Sequence, residues 1–460
     1  MENFMNLNQL TNIEFLSYFT VEIFCVLAIV LNYSLILFFK KTLNIVKISD
    51  IITSSLFLLN SLFLFTIYTT NPHFSLKNDL LLFSNNTILL KIFVNVFAFL
   101  FMLIIYKLNR KIRLKVLFSN IILTLIVLFS GILVQSDNFA LSYICFEIVI
   151  FFIYHYISNN SLKNATALNV QFAAVNLCAT SLFIIFYILS FLMQDNLQKS
   201  IMLSCLSVCI LLKTGIFPIY NYLINKKYKK NIANTILIFS YLTFLGTVIF
   251  IKAVLNFGIL NEIYQISLCI FLLISMMSFA LNLFKTKNIV VFLSNAACLF
   301  TGFALLNIVY TNEINSAVKY LIFSSLCTLG LYSLVCILKI NFKQNKINIP
   351  LIKGIFVKNK KFTFLLSLFL LSLASVLPTG ILTNTIHIFK QIYSYDKSGF
   401  LIVSFVILYN IFVLLSVIKI IQNCYTLNQD SFDKVMYKKT TFNYVVLYII
   451  VLFLFIGFVL

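Results

Sequence analysis

The chain has 460 residues, of which 61% are apolar and only 10% charged, and its mean hydropathy is +1.03. A soluble domain carries about 45–50% apolar and about 25% charged residues, so a soluble globular protein, a disordered chain and a disulfide-stapled scaffold are excluded in favour of a polytopic membrane protein. The formal charge of +21, from 34 Lys+Arg against 13 Asp+Glu, would point to nucleic acid in a soluble chain. In a membrane chain its meaning depends on where the charges lie.

The first residues, MENFMNLNQLTNIEF, hold two Glu and no Lys or Arg, unlike a basic secretory leader or an Arg-rich transit peptide. Beyond them, one crossing needs about 20 apolar residues. That rule predicts fourteen spans, at 15–39, 48–69, 87–107, 113–135, 138–158, 167–193, 199–223, 233–256, 262–284, 289–311, 316–340, 362–391, 399–422 and 441–460. Barrel strands would be shorter and would alternate in polarity, so the fold class is an all-α polytopic membrane protein. Nine of the ten cysteines lie inside these apolar runs without metal-like spacing and read as small packing residues.

The basic residues sort to one side. The odd-numbered connections hold 25 Lys/Arg, while the termini and even connections hold Lys77, Lys199, Lys390 and Lys397. This is a positive-inside pattern, which orients the odd connections inward and both termini outward. The clusters at 226–230 and 339–361 then sit beside anionic lipid, and nucleic acid is not a partner. Lys outnumbers Arg 32 to 2, Phe numbers 51 and Trp is absent. That bias toward AT-rich codons suits an organellar genome, hence a mitochondrial inner membrane with both termini in the intermembrane space. A bacterial plasma membrane is the alternative.

With the basic residues at span edges counted in the adjoining connections, five Lys lie within spans. Lys91, Lys252, Lys319 and Lys419 fall near predicted span ends, where a lysine can snorkel to the interface. Glu22 lies a third of the way into span 1 and is ambiguous. Glu147 and Lys213 lie deep in spans 5 and 7, where a lone charge costs about 2.5–3.5 kcal/mol. A facing pair is the cheaper arrangement, and intramembrane ionisable residues mark ion and proton paths.

Two of the four prolines are inside spans: Pro218 in span 7, after Gly215, and Pro378 in span 12, before Gly380. A proline within a span breaks the helix where polar groups or water compensate. Spans 7 and 12 differ by five, an odd number, so spans 4–8 and 9–13 read as two inverted five-helix repeats with matching breaks. The organisation expected is helices 1–3 over 1–112, the first repeat over 113–256, the second over 262–422 and a last helix over 441–460.

At these residues the chain resembles the antiporter-like membrane subunits of respiratory complex I, in particular the NADH dehydrogenase subunit 2 family. The carriers are SDNFALSYICFE (136–147), LLKTGIFPIYNYL (211–223), FLSNAACLFTGFALL (292–306), VKYLIFSSLCTLGLYSLV (318–335) and LSLASVLPTGILTN (371–384). FTVEIF (19–24) is similar to the family's helix 1 opening without its proline. The stretch after Pro218, IYNYLINKKYKKNIAN, lacks the His/Ala-rich or Thr–Pro run of the sister subunits.

The resemblance implies a coupling pair, Glu147 and Lys213, and a proton path through the broken helices at Pro218 and Pro378. The family's lysine in helix 8 aligns with Ser240, Tyr241 or Thr243, and its helix 12 acceptor with Asn384, one turn before His387; no lysine stands at either place. The expectation is a surviving coupling pair with the relay beyond it, through Tyr241, Thr243, Asn384 and His387, weakened or rerouted. The resemblance also implies that flavin, iron–sulfur clusters and quinone bind elsewhere in the assembly, leaving no cofactor or metal in this chain. Partners would be the other membrane-arm subunits, lipids, and protons as cargo. Competing readings are a non-pumping scaffold in the same place, a Na+(K+)/H+ antiporter subunit, and a lipid-linked flippase.

Overall fold

The computed structural model describes residues 19–38, 43–70, 76–77, 82–83, 85–105, 113–160, 166–192, 196–213, 232–257, 262–342, 348–395, 399–426 and 441–459. Their helices fall on the fourteen predicted spans. They are α1 (Thr20–Phe38), α2 (Leu43–Thr70), α3 (Asn85–Ile105), α4 (Arg113–Gln135), α5 (Phe139–Asn160), α6 (Thr166–Leu192) and α7 (Asn196–Lys213). Helix α8 runs Ile232–Ile236, passes through a π-turn at Leu237–Leu242 and continues over Thr243–Phe257. Then come α9 (Glu262–Lys285), α10 (Ile289–Thr311), α11 (Ile314–Phe342), α12a (Lys360–Leu373), α12b (Gly380–Tyr395), α13 (Gly399–Tyr425) and α14 (Thr441–Val459). Ten are long and apolar enough to cross a membrane unaided, and Thr20–Leu35, Ile201–Lys213 and Val446–Gly457 are shorter apolar helices. The strands among the described residues are a minimal antiparallel pair, β1 (Leu76–Lys77) on β2 (Leu82–Phe83), between α2 and α3, besides an isolated bridge between Asn288 and Asn348. Pro218 lies outside the described residues.

The chain divides into two units, 1–173 and 174–460. In the first, α1, α2, α3 and α4 pack on one another, and α5 folds back on α4. The reversal is made by Asn138, whose side chain accepts from the Ala140 N–H at 2.9 Å and so satisfies a first-turn donor of α5.

In the second unit α8, α10 and α11 form the interior, and α9 and α13 flank them. Polarity does not separate the faces of α9. Ile266, Ile270 and Ile274 are exposed one turn apart, whereas Leu268, Leu272, Met276 and Phe279 are buried. Lipid is as apolar as leucine, so close packing rather than water exclusion selects the inner face. Helix α10 is fixed at both ends. Asn288 accepts from Val290 N–H at 2.9 Å, and Asn312, at φ 61°, returns its N–H to Ile308 C=O at 3.0 Å.

Span 12 is interrupted between α12a and α12b. Ser375 turns left-handed at φ 55°; its N–H bonds Ser372 C=O at 3.0 Å and the next N–H, of Val376, bonds Leu371 C=O at 3.1 Å. This double closure is a Schellman motif with serine where glycine is usual. Pro378 follows and the helix resumes at Gly380. There Phe323 of α11 is seated between two glycines: a Cβ at Gly380 would stand 2.8 Å from its ring, and one at Gly457 of α14 only 2.2 Å. Overpacking of this kind costs about 1–3 kcal/mol. Gly457→Val is therefore expected to lower the thermal midpoint of the detergent-solubilised protein, and Phe323→Ala in the same chain to recover part of the loss; a melting series of the three variants checks it.

Candidate functional site

Lys213 ends the described part of α7 and is only 4% exposed. Its ammonium donates to the Thr180 hydroxyl of α6 at 2.7 Å. A hydroxyl is a neutral partner, so this contact holds the charge by a dipole that can reorient. Glu147 lies in the middle of α5, half-buried. It belongs to the first unit and Lys213 to the second, so their pairing stands as the expectation of the sequence.

The place where a helix 8 lysine was looked for is occupied by hydroxyls. Ser240 and Tyr241 lie in the π-turn and Thr243 just after it, all 2% exposed. A π-turn inserts one residue into the helical ladder and is frequent at functional positions. Here it borders a small cavity whose lining includes six hydroxyl side chains: Ser240 and Thr243 from α8, Thr301 from α10, and Ser324, Ser325 and Thr328 from α11. The rings of Phe239, Phe244 and Phe300 close its sides, and the space suits about one water molecule.

The donors of these hydroxyls are mostly spent. Thr243 bonds back to Phe239 C=O at 3.0 Å, Thr301 to Cys298 C=O at 2.9 Å, Ser324 to Leu321 C=O at 3.1 Å, Ser325 to Ile322 C=O at 2.9 Å and Thr328 to Ser325 C=O at 2.9 Å. Ser240 Oγ and Thr328 Oγ1 lie 3.3 Å apart across the cavity wall. What the cavity offers is therefore oxygen lone pairs, which suit a donor such as water or a protonated water. Asn295 of α10, 1% exposed, has neither amide atom hydrogen-bonded.

Beyond the helix break, Asn384 is buried and gives its amide to Gly380 C=O at 2.6 Å, while Ser375 and Thr385 oxygens approach to 3.3 Å across the interruption. His387 is exposed on α12b. Further along, the Ser316 hydroxyl donates to Gln391 Oε1 at 2.8 Å, and Asn307 donates to Ser316 at 3.0 Å. These polar contacts join the ends of α10, α11 and α12b. Sequence reasoning missed them because each partner is an unremarkable amide or hydroxyl, and only the fold brings them together.

Of the lysines read as snorkelling, Lys319 and Lys419 are exposed, and Lys419 lies over the Phe284 ring at 5.8 Å. Lys91 is a correction. It is 2% exposed and forms an ion pair with Glu22 at 2.8 Å. The pair also settles Glu22, whose partner lies 69 residues away, beyond the reach of any local pattern.

No family model matches the sequence, and no curated protein does. Solved structures do match in shape. A chain of respiratory complex I from Thermus thermophilus with bound aureothin superposes with a TM-score of 0.76 at 11% identity, over 96% of this chain and 97% of that one. A chain of the Mrp complex from Dietzia sp. gives 0.82 at 10% identity, over 96% and 94%. A chain of the membrane-bound sulfane sulfur reductase, an archaeal respiratory membrane complex, gives 0.78 at 10% identity, over 98% and 94%. At such identities the likeness is one of fold: the chain is a multi-pass helical membrane protein with the architecture found in the membrane chains of these three complexes.

Proposed function

We propose that the chain is an antiporter-like membrane-arm subunit of respiratory complex I, of the subunit 2 type, coupling electron transfer to proton translocation. The observation that carries the reading is Lys213: a buried ammonium on a membrane helix, hydrogen-bonded to the Thr180 hydroxyl of α6 at 2.7 Å. A lysine serving packing alone gains nothing there against an apolar residue, and ionisable groups kept inside a membrane mark ion and proton paths. Glu147 is its coupling partner in this reading. Beyond the pair, the π-turn cavity supplies hydroxyl oxygens and room for water in place of a titrating lysine, so the relay toward Asn384 is a slow one. The electron-transfer activity belongs to the assembly, whose other membrane-arm subunits are the partners, and the AT-biased composition favours the mitochondrial inner membrane.

The Mrp likeness, with a TM-score of 0.82, favours a second reading, a Na+(K+)/H+ antiporter subunit. Co-migration with NADH dehydrogenase activity on a native gel separates the two: the first reading expects it, and an antiporter would migrate without it.

Within the first reading, Lys213→Ala and Glu147→Gln are expected to lower the protons moved per electron while NADH oxidation and assembly persist. An unchanged ratio in assembled complex would leave a non-pumping scaffold. Thr180→Val removes a hydrogen bond to a charged group, worth about 1.5–3 kcal/mol, so it should both lower thermal stability and slow proton uptake. Thr243→Val keeps side-chain size but deletes a cavity oxygen. It should slow proton translocation several-fold with little change in melting temperature, read by a pH dye in energised vesicles.

A further inference from the structure

The first unit holds ionisable groups that the Lys213 line does not use. At the end of the α1–α4 bundle where α1 begins, Lys91 of α3 donates to Glu22 of α1 at 2.8 Å, with 2% and 15% of these side chains exposed. The second carboxylate oxygen of Glu22 is buried without a hydrogen-bond partner. Gly131 of α4 leaves room there: a Cβ would lie 3.6 Å from Glu22 Oε1.

One turn along α3, Asn95 bonds Lys91 C=O at 2.9 Å and accepts from the Asn60 amide of α2 at 3.0 Å. The Asn60 side-chain oxygen is again buried and unpartnered. Toward the other end, which the lysine-rich connections flank, Asn120 of α4 donates to Asp50 at 2.6 Å and to Ser49 at 2.9 Å. Ser49 in turn donates to Asn32 of α1.

These groups form a ladder. At 1.5 Å per residue, the 11 residues from Asn120 to Gly131 put the two charged ends about 16 Å apart along the bundle. Thr124 lies about 6 Å beyond Asn120 on the same face of α4, and Asn95 about 6 Å short of Lys91 on α3. The gaps between polar levels are thus each about 5–6 Å, a distance one or two waters span. On α2, Ser49, Thr53 and Asn60 share one face at spacings of four and seven.

We propose that α1–α4 carry a gated proton path of their own, with Asp50 as the acceptor at the basic end and the Glu22–Lys91 pair as the gate at the other. A proton from the basic side adds to the Asp50 carboxylate, then passes along water held by Thr124 and the Asn60–Asn95 amides. It adds to the Glu22 carboxylate when the Lys91 ammonium lets go and leaves to the opposite side, restoring both carboxylates. One proton crosses and no group is consumed. The path does not depend on Lys213 or on electron transfer.

The test uses the purified full-length chain in liposomes, with a potassium diffusion potential set by valinomycin and a pH dye inside. The wild type, gate closed, should conduct slowly. Lys91→Met should raise proton flux several-fold, and adding Asp50→Asn should abolish the rise; adding Lys213→Ala instead should not. If Lys91→Met does not fold, Lys91→Gln, which keeps a donor toward Glu22, carries the same reading. A purely packing role for the ladder makes contrary predictions. Flux that stays at the level of empty liposomes in a folded Lys91 variant, or rises in a way that Asp50→Asn does not suppress, overturns the proposal. Suppression by Lys213→Ala overturns the independence of the path.

Discussion

A polar group inside a bilayer has no water to turn to, so each must be satisfied by the protein or by water the protein holds. The polar contacts of this chain show how that demand is met. Where a hydroxyl returns its proton to the carbonyl one turn back, as along α11 at Ser324, Ser325 and Thr328, the helix satisfies itself. Where two helices must cooperate, as Lys91 does with Glu22, the contact fixes the packing of elements far apart in sequence. Where neither suffices, as at Asn295 and the second carboxylate oxygen of Glu22, the polar atoms are left for the water that the proposed proton paths require.

The helical interruptions serve the same end. The Schellman closure at Ser375 caps α12a before Pro378 could strand its carbonyls. The π-turn in α8 makes an opening beside Ser240 and Thr243 without breaking the helix. Both lie against α11 or its neighbours, the most deeply buried part of the second unit. The interior thus positions the few places where the backbone departs from regularity, and the more exposed helices α9 and α13 carry none of the groups named in the proposed proton paths.

Much of this was legible in the sequence, because a crossing helix is a local object. Twenty apolar residues declare themselves, so the described helices fall on the fourteen predicted spans and the break at Pro378 was placed, while the end of span 7 with Pro218 lies outside the described residues. The buried state of Lys213 followed from its distance to the span ends. Lys91 was misread by the same rule: it stands near a predicted span end, and nothing within a turn reveals that Glu22 waits on another helix. Asp50 drew no notice because it sits two residues into a predicted span, where hydropathy alone cannot separate an interfacial carboxylate from one bonded to Asn120. The π-turn has no composition signature, and the six-hydroxyl cavity is assembled from three helices.

The central claim is that proton movement follows held water past groups that lack a family-type lysine, slowly through the π-turn cavity and separately through the α1–α4 ladder. A density map of the chain in its native assembly, sharp enough to place ordered waters, tests it most directly. The account predicts an isolated water against Ser240 and Thr328, and a file of waters from Asp50 past Thr124 and Asn60 to Glu22. A continuous file from Lys213 through the cavity to Asn384, with the α1–α4 bundle dry, would contradict it.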